Sequence, residues 1–177
     1  MYLSQRWWIL PLGTKYYFDS FANSSASDFY GSGTVVTTGQ KEGDYAEVKV
    51  TSDSNHQEFV GRTFWVEADA KTDGSEVYQL YTDGETATGV YVKIYASQPT
   101  RTVSISVKSD GTGVSGASVT IGETTKTTGS AGGCTFTLTD GDYDISVTAT
   151  GYVDAEDEIS VAYDETSFDI NIEEDTD

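Results

Sequence analysis

Cys134-Thr-Phe-Thr-Leu-Thr-Asp-Gly-Asp-Tyr-Asp-Ile-Ser-Val-Thr-Ala149 reads as two strands and the turn between them. Cys134, Phe136 and Leu138 recur at every second position, Asp140-Gly141 interrupts, and Tyr143, Ile145, Val147 and Ala149 resume the alternation. A period of two is that of a strand with one buried face, and an Asp-Gly pair between two such runs is a hairpin signal. The same rhythm extends outward in both directions. Thr102–Lys108 places Val103, Ile105 and Val107 on one side, Asp110-Gly-Thr-Gly113 turns, and Ala117–Ile121 returns. Thr124–Thr128 is a shorter strand leading to a loop at Gly129–Gly133, and Glu158–Ala162 and Ser167–Ile172 complete the set. Short alternating strands at regular spacing make a sandwich of two sheets.

Within this region Val114-Ser-Gly116-Ala117-Ser-Val119, then Gly129–Phe136, Gly141-Asp-Tyr143 and Gly151-Tyr152 come in an order that resembles carboxypeptidase-regulatory-like domains, the transthyretin-like or immunoglobulin-like modules. The resemblance implies an immunoglobulin-like β-sandwich. It implies no activity, because modules of this kind serve as spacers, anchors and adhesion units in unrelated proteins.

Ser97-Gln98-Pro99-Thr100 is the seam, containing one of only 2 prolines. Residues 1–100 carry 7 basic and 13 acidic residues, against 3 and 16 in 101–177, and hold 17 of the 22 aromatics. Two cores of different character follow, a domain over 1–98 and another over 101–175. In the first, Val35-Val36, Ala46–Val50, Thr63–Ala70, Glu76–Tyr81 and Gly89–Ala96 read as strands, with Trp7-Trp8-Ile9-Leu10 as one more. That number of strands suits a jelly roll, and the region loosely resembles the jelly-roll domains of carbohydrate-binding modules and of viral capsid or tail proteins. The expected fold is therefore all-β, two β-sandwich domains, the N-terminal one jelly-roll-like and the C-terminal one immunoglobulin-like.

With 10 Lys+Arg against 29 Asp+Glu, the formal charge is −19. Such a surface repels phosphates and anionic lipids, so neither nucleic acid nor membrane is an expected partner. Acids spread over both halves suit solubility in molar salt, as in halophilic organisms. A single cysteine, Cys134, excludes an internal disulfide. The apolar run Trp7–Leu12 is too short for the core of a secretory signal, so synthesis without an export signal is expected.

Catalytic chemistry finds little footing. His56, the only histidine, lies in Ser52-Asp-Ser-Asn-His-Gln57, outside any nucleophile motif, and reads as an exposed loop residue. Cys134 alternates with Phe136 and Leu138 and reads as a small buried hydrophobe. Asp140, Asp142 and Asp144 resemble the start of an oxygen-ligand loop and are the candidate metal residues, for Ca²⁺, although no Glu follows at the spacing of a calcium-binding loop. No other cofactor is expected. The Trp7-Trp8 pair points to both faces of a strand and, with Tyr16 and Tyr17, marks a candidate oligomer or partner contact. Tyr16-Tyr17-Phe18, Phe29-Tyr30 and the set Tyr78, Tyr81, Tyr91, Tyr95 could line a sugar-binding face.

A surface-type module without export signal, disulfide or catalytic set is what a virus particle needs. The expected function is a non-enzymatic structural virion protein of a virus of a halophilic archaeon, as a capsid-decorating, turret or tail component. It would assemble in the host cytoplasm as a homo-oligomer with other virion proteins, and could contact host surface glycans from the particle in high salt. The alternative is a carbohydrate-binding adhesin module of a cell-surface protein.

Overall fold

The computed structural model describes residues 12–176. The chain divides after Pro99 into two compact units. The Trp7–Leu10 strand expected from the sequence, and the contact residues Trp7 and Trp8, lie outside the described residues.

The first unit is a closed barrel. Its strands are β1 (Lys15–Phe21), β2 (Phe29–Glu42), β3 (Tyr45–Asp53), β4 (Thr63–Glu67), β5 (Tyr78–Tyr81) and β6 (Ala87–Tyr95). Each pairs antiparallel with the next, and β6 closes on β1 from Tyr17↔Tyr95 to Phe21↔Tyr91. This corrects the jelly-roll expectation, because a jelly roll crosses between two sheets whereas every connection here joins adjacent strands. Local chemistry explains the meander. Asn23 Oδ1 accepts the Ser25 N–H at 3.1 Å in the β1–β2 connection, and Asp83 Oδ1 accepts the Glu85 and Thr86 N–H groups at 3.0 and 2.6 Å between β5 and β6. Such side-chain-stabilised turns send each strand straight back beside its predecessor.

Strand β2 curves through register shifts at Thr34/Val35 and Thr37/Lys41. Bulges of this kind let a sheet coil far enough to close. Gly33 sits in the bend, where a Cβ would lie 2.0 Å from the Ser52 carbonyl oxygen and 2.8 Å from the Phe18 ring. Inside, Phe18, Val48, Val50, Phe64, Val66, Leu80, Val92 and Ile94 meet in one core. They leave a residual void of about 20 Å³ with an entirely apolar lining. That lining offers no polar partner to hold a water, and apolar side chains pack the barrel interior.

The second unit is a sandwich. One sheet runs β10 (Thr124–Thr127), β9 (Ser118–Ile121), β12 (Gly141–Thr148), β13 (Ala155–Val161). The other runs β11 (Gly133–Thr139), β7 (Thr100–Ser109), β14 (Ser167–Asn171), with the short β8 (Thr112–Gly113) beside β7. Val103, Ile105, Val107, Phe136 and Ile170 from one sheet share a core with Val119, Ile121, Ile145, Val147, Ile159 and Val161 from the other. Gly132 allows the β10–β11 loop to pass close by, since a Cβ there would meet the Val107 carbonyl oxygen at 2.6 Å. All pairings are antiparallel except β14 on β7, registered Ser167↔Ser104 to Asn171↔Lys108. The first and last strands therefore run side by side in the same direction, and the chain enters the sandwich at one end and leaves at the other.

The fold is all-β, a closed six-strand barrel followed by a two-sheet sandwich. No helix among the described residues is long and apolar enough to cross a membrane.

Candidate functional site

Strand alternation decides which side chains the barrel shows on its outer face. Alternation puts Ala46, Val48 and Val50 inward on β3, Phe64 and Val66 inward on β4, and Tyr78 and Leu80 inward on β5. Tyr45 and Glu47, Trp65, and Gln79 and Tyr81 must then point outward. Registration gathers them: Trp65 lies opposite both Tyr81 and Glu47, and Tyr45 lies opposite Glu67. The Tyr45 and Tyr81 rings meet edge to face, their centroids 5.1 Å apart at 65°. Tyr45, Trp65 and Tyr81 are each half-buried.

The Tyr45 and Tyr81 rings fix each other, and register places Trp65 beside Tyr81. The Tyr45 phenol is held above its ordinary pKa, chiefly by its side-chain hydrogen bond with Tyr81, with desolvation and the nearby Glu67 and Asp44 carboxylates adding to the effect. Tyr81 Oη also donates a long hydrogen bond, 3.4 Å, to Gln79 Oε1. The result is an outward aromatic platform of Tyr45, Trp65 and Tyr81, with Glu47, Glu67 and Gln79 registered around it. Such a surface offers ring faces to the C–H groups of a flat ligand and carboxylate or amide oxygens to its hydroxyls, at little cost in side-chain ordering.

Tyr81 belongs to the sugar-face set read from the sequence, whereas Tyr45 and Trp65 were missed. The signal was present, since both occupy the outward phase of strands whose inward phase is valine and phenylalanine. Of the rest, Tyr78 points into the barrel end. Its Oη donates to Glu76 Oε2 at 2.8 Å and accepts the Lys71 N–H at 2.9 Å, and burial above all pushes the phenol up to about 12. Tyr91 and Tyr95 lie outward on β6, with Tyr95 Oη donating to the buried Asp19 carboxylate at 2.9 Å.

The candidate contact residues Tyr16 and Tyr17 separate. Tyr16 is core, which corrects its reading as a contact residue: the β1 pleat turns it into the barrel. Tyr17 is outward and half-buried, with Lys15 Nζ 5.0 Å from its ring centre. The candidate metal residues separate too. Asp140 is held by Arg101 through a fork, Nε to Oδ1 at 2.8 Å and Nη2 to Oδ2 at 3.0 Å. Asp142 and Asp144 are exposed on β12, opposite Ser160 and Glu158. Among the described residues no group of three His, Cys, Asp or Glu is placed to hold a metal ion.

His56 departs from the exposed loop residue expected. Its ring stacks on Tyr30 at 3.8 Å and lies 5.2 Å from Phe59, while Nδ1 is 3.0 Å from Glu58 Oε1. The loop is anchored by buried Asp53, whose Oδ1 accepts the Asn55 and His56 N–H groups at 3.0 and 2.9 Å. Cys134 is half-buried against the sandwich core, and burial raises its thiol pKa.

Fold and side-chain placement together describe an all-β chain, a packed barrel with aromatic side chains on its outer face followed by a β-sandwich. Residues 102–176 match the family model described as "PEGA domain", in place of the carboxypeptidase-regulatory-like family expected there. Among solved structures the chain is similar to a C-terminal fragment of the pilus adhesin SpaC from Lactobacillus rhamnosus GG, at 11% identity and TM-score 0.33, covering 92% of this chain and 89% of that one. A longer SpaC structure matches at 14% identity and TM-score 0.33, with 98% of this chain covering 29% of that chain. Among the curated proteins no sequence matches. The virion reading is corrected by the family match: over residues 102–176 the matching family is the PEGA domain, not a viral capsid or tail family. The expected virion partners and the location in a virus particle fall with it.

Proposed function

We propose that this chain is a non-enzymatic recognition module of a cell surface, binding carbohydrate on the barrel and using the sandwich as an immunoglobulin-like spacer. The observation that carries the reading is the outward platform of Tyr45, Trp65 and Tyr81 on a barrel with no room for a ligand inside. Large aromatics left on a surface mark a contact site, because water exclusion favours covering them. The spacer role is supported by the parallel β7–β14 pair, which carries the chain from one end of the sandwich to the other. A non-catalytic reading is supported by the setting of His56, whose ring is engaged in packing.

Glycan-array binding by the whole chain, followed by titration of the hits, tests the proposal. Saturable binding is expected, and Trp65→Ala abolishes it while lowering stability by only about 1 kcal/mol, since Trp65 packs on the outer face. Absence of saturable binding to every glycan presented, by a folded chain, would reject it.

A further inference from the structure

The platform is flanked by carboxylates on every strand that reaches it from the β2–β3 turn. Asp44 lies in that turn and Glu42 is registered opposite Tyr45. Glu47 faces Trp65 across β3–β4, and Glu67 faces Tyr45. Lys49 is the cation on the outward phase of β3, but it lies at the far end of the pairing, opposite Thr63. Arg62 is stacked over Phe64 with its guanidinium 5.4 Å from the ring centre. The rings and the acids therefore act together, and the chain's charge of −19 adds to them at longer range.

This asymmetry selects among sugars. A ring face presents negative charge from its quadrupole and attracts a cation lying over it. Carboxylates beside the ring do the same through Coulomb attraction, and neither asks a neutral sugar to leave. A uronic or sialic acid would instead place its carboxylate against Glu47 and Glu67. Resting on the recognition reading above, we infer that the platform prefers glycans bearing free, protonated amino groups, such as polymers of de-acetylated amino sugars, over neutral glycans, and rejects acidic ones.

The experiment follows Trp fluorescence of the whole chain during titration with glucosamine oligomers, with their N-acetylated counterparts of equal length, and with oligouronates. The pH is kept where the amines are protonated. The free-amine oligomer is expected to bind about fivefold or more tighter than the acetylated one, from two partly exposed charge contacts. That advantage shrinks as salt is raised, because the charges are solvent-accessible. The Glu47→Gln/Glu67→Gln double variant should lose the preference, the ratio of the two affinities falling toward one, and a ratio unchanged from wild type would overturn the inference. Equal or tighter binding of the acetylated oligomer, or binding of oligouronates, would overturn the amine inference and leave carbohydrate recognition standing. Failure of all three, with glycan arrays also blank, would instead reject the recognition reading itself.

Discussion

The barrel and the sandwich both bury alternating strands, yet they spend their large side chains differently. In the sandwich Ile, Val and Phe136 fill a core between two sheets, and the outer faces carry Thr, Ser, Asp and Glu. In the barrel the inward phase is mostly Val, Phe, Ile and Leu as well, but the outward phase adds Tyr17, Tyr45, Trp65, Tyr81, Tyr91 and Tyr95. Rings on a solvent face do nothing for the core behind them. The contrast is between a unit whose large side chains are nearly all interior and one that also carries half-buried rings on its outer face.

Core truncation probes the half of the comparison in which the units agree. Phe64→Ala in the barrel and Ile145→Ala in the sandwich remove fully buried side chains. Losses of about 3–5 and 2–5 kcal/mol are expected, read from urea unfolding of each variant. A loss below 1 kcal/mol at Phe64 would mean that the barrel interior is not the close-packed core described.

A smaller effect tests how the sandwich handles charge. Arg101 and Asp140 are largely shielded, their side chains 11% and 17% exposed, and Arg101 also lies over the Tyr163 ring at 5.2 Å. Asp140→Ala leaves the guanidinium without its fork and is expected to cost about 2 kcal/mol. If Asp140 served a calcium ion instead, the loss would appear only with calcium present, which paired unfolding curves with chelator and with excess Ca²⁺ would reveal.

The smallest effect is a slope. Burial is the main cause that raises the Asp53 carboxyl above its ordinary pKa, against the two backbone N–H groups that oppose it. The folded barrel thus keeps this proton to higher pH than the unfolded chain does. Stability from this group is full below the unfolded pKa and is lost as pH rises through the folded one. Asp53→Asn keeps an acceptor for both N–H groups and removes that slope. Urea midpoints of the variant, taken from acid to neutral pH, should fall less with rising pH than those of the wild type. A parallel pair of curves would show that Asp53 titrates as it does in the unfolded chain.

How far the sequence could be read follows the same division. Most sandwich strands were legible, since Val103, Ile105 and Val107 or Tyr143, Ile145 and Val147 alternate against polar neighbours, although β13 starts at Ala155 rather than Glu158 and short β8 was read as part of a turn. In the barrel β1 was invisible as a strand, because Tyr16, Tyr17 and Phe18 are consecutive aromatics and Asp19, Ser20 and Phe21 are all buried, so the period of two is erased. Long β2 showed only Val35-Val36, its remainder being Gly, Ser and Thr interrupted by bulges. Closure depends on Tyr17 meeting Tyr95, a pairing no local pattern announces. The platform is half legible: Tyr81 belongs to a spaced set of tyrosines, while Tyr45 and Trp65 are each the one aromatic in the outward phase of its strand. The virion reading failed for a different reason, since it rested on absences rather than on any residue that binds.

The parallel pairing of β7 with β14 has a mechanical consequence. Tension applied along the chain would pull these two neighbouring strands in opposite directions along their length, from Ser104↔Ser167 to Lys108↔Asn171. Their hydrogen bonds then share the load together in shear and cannot be opened one after another like a zip. A tethered sandwich of this kind resists stretching most strongly along the axis on which a surface-held module would be tugged.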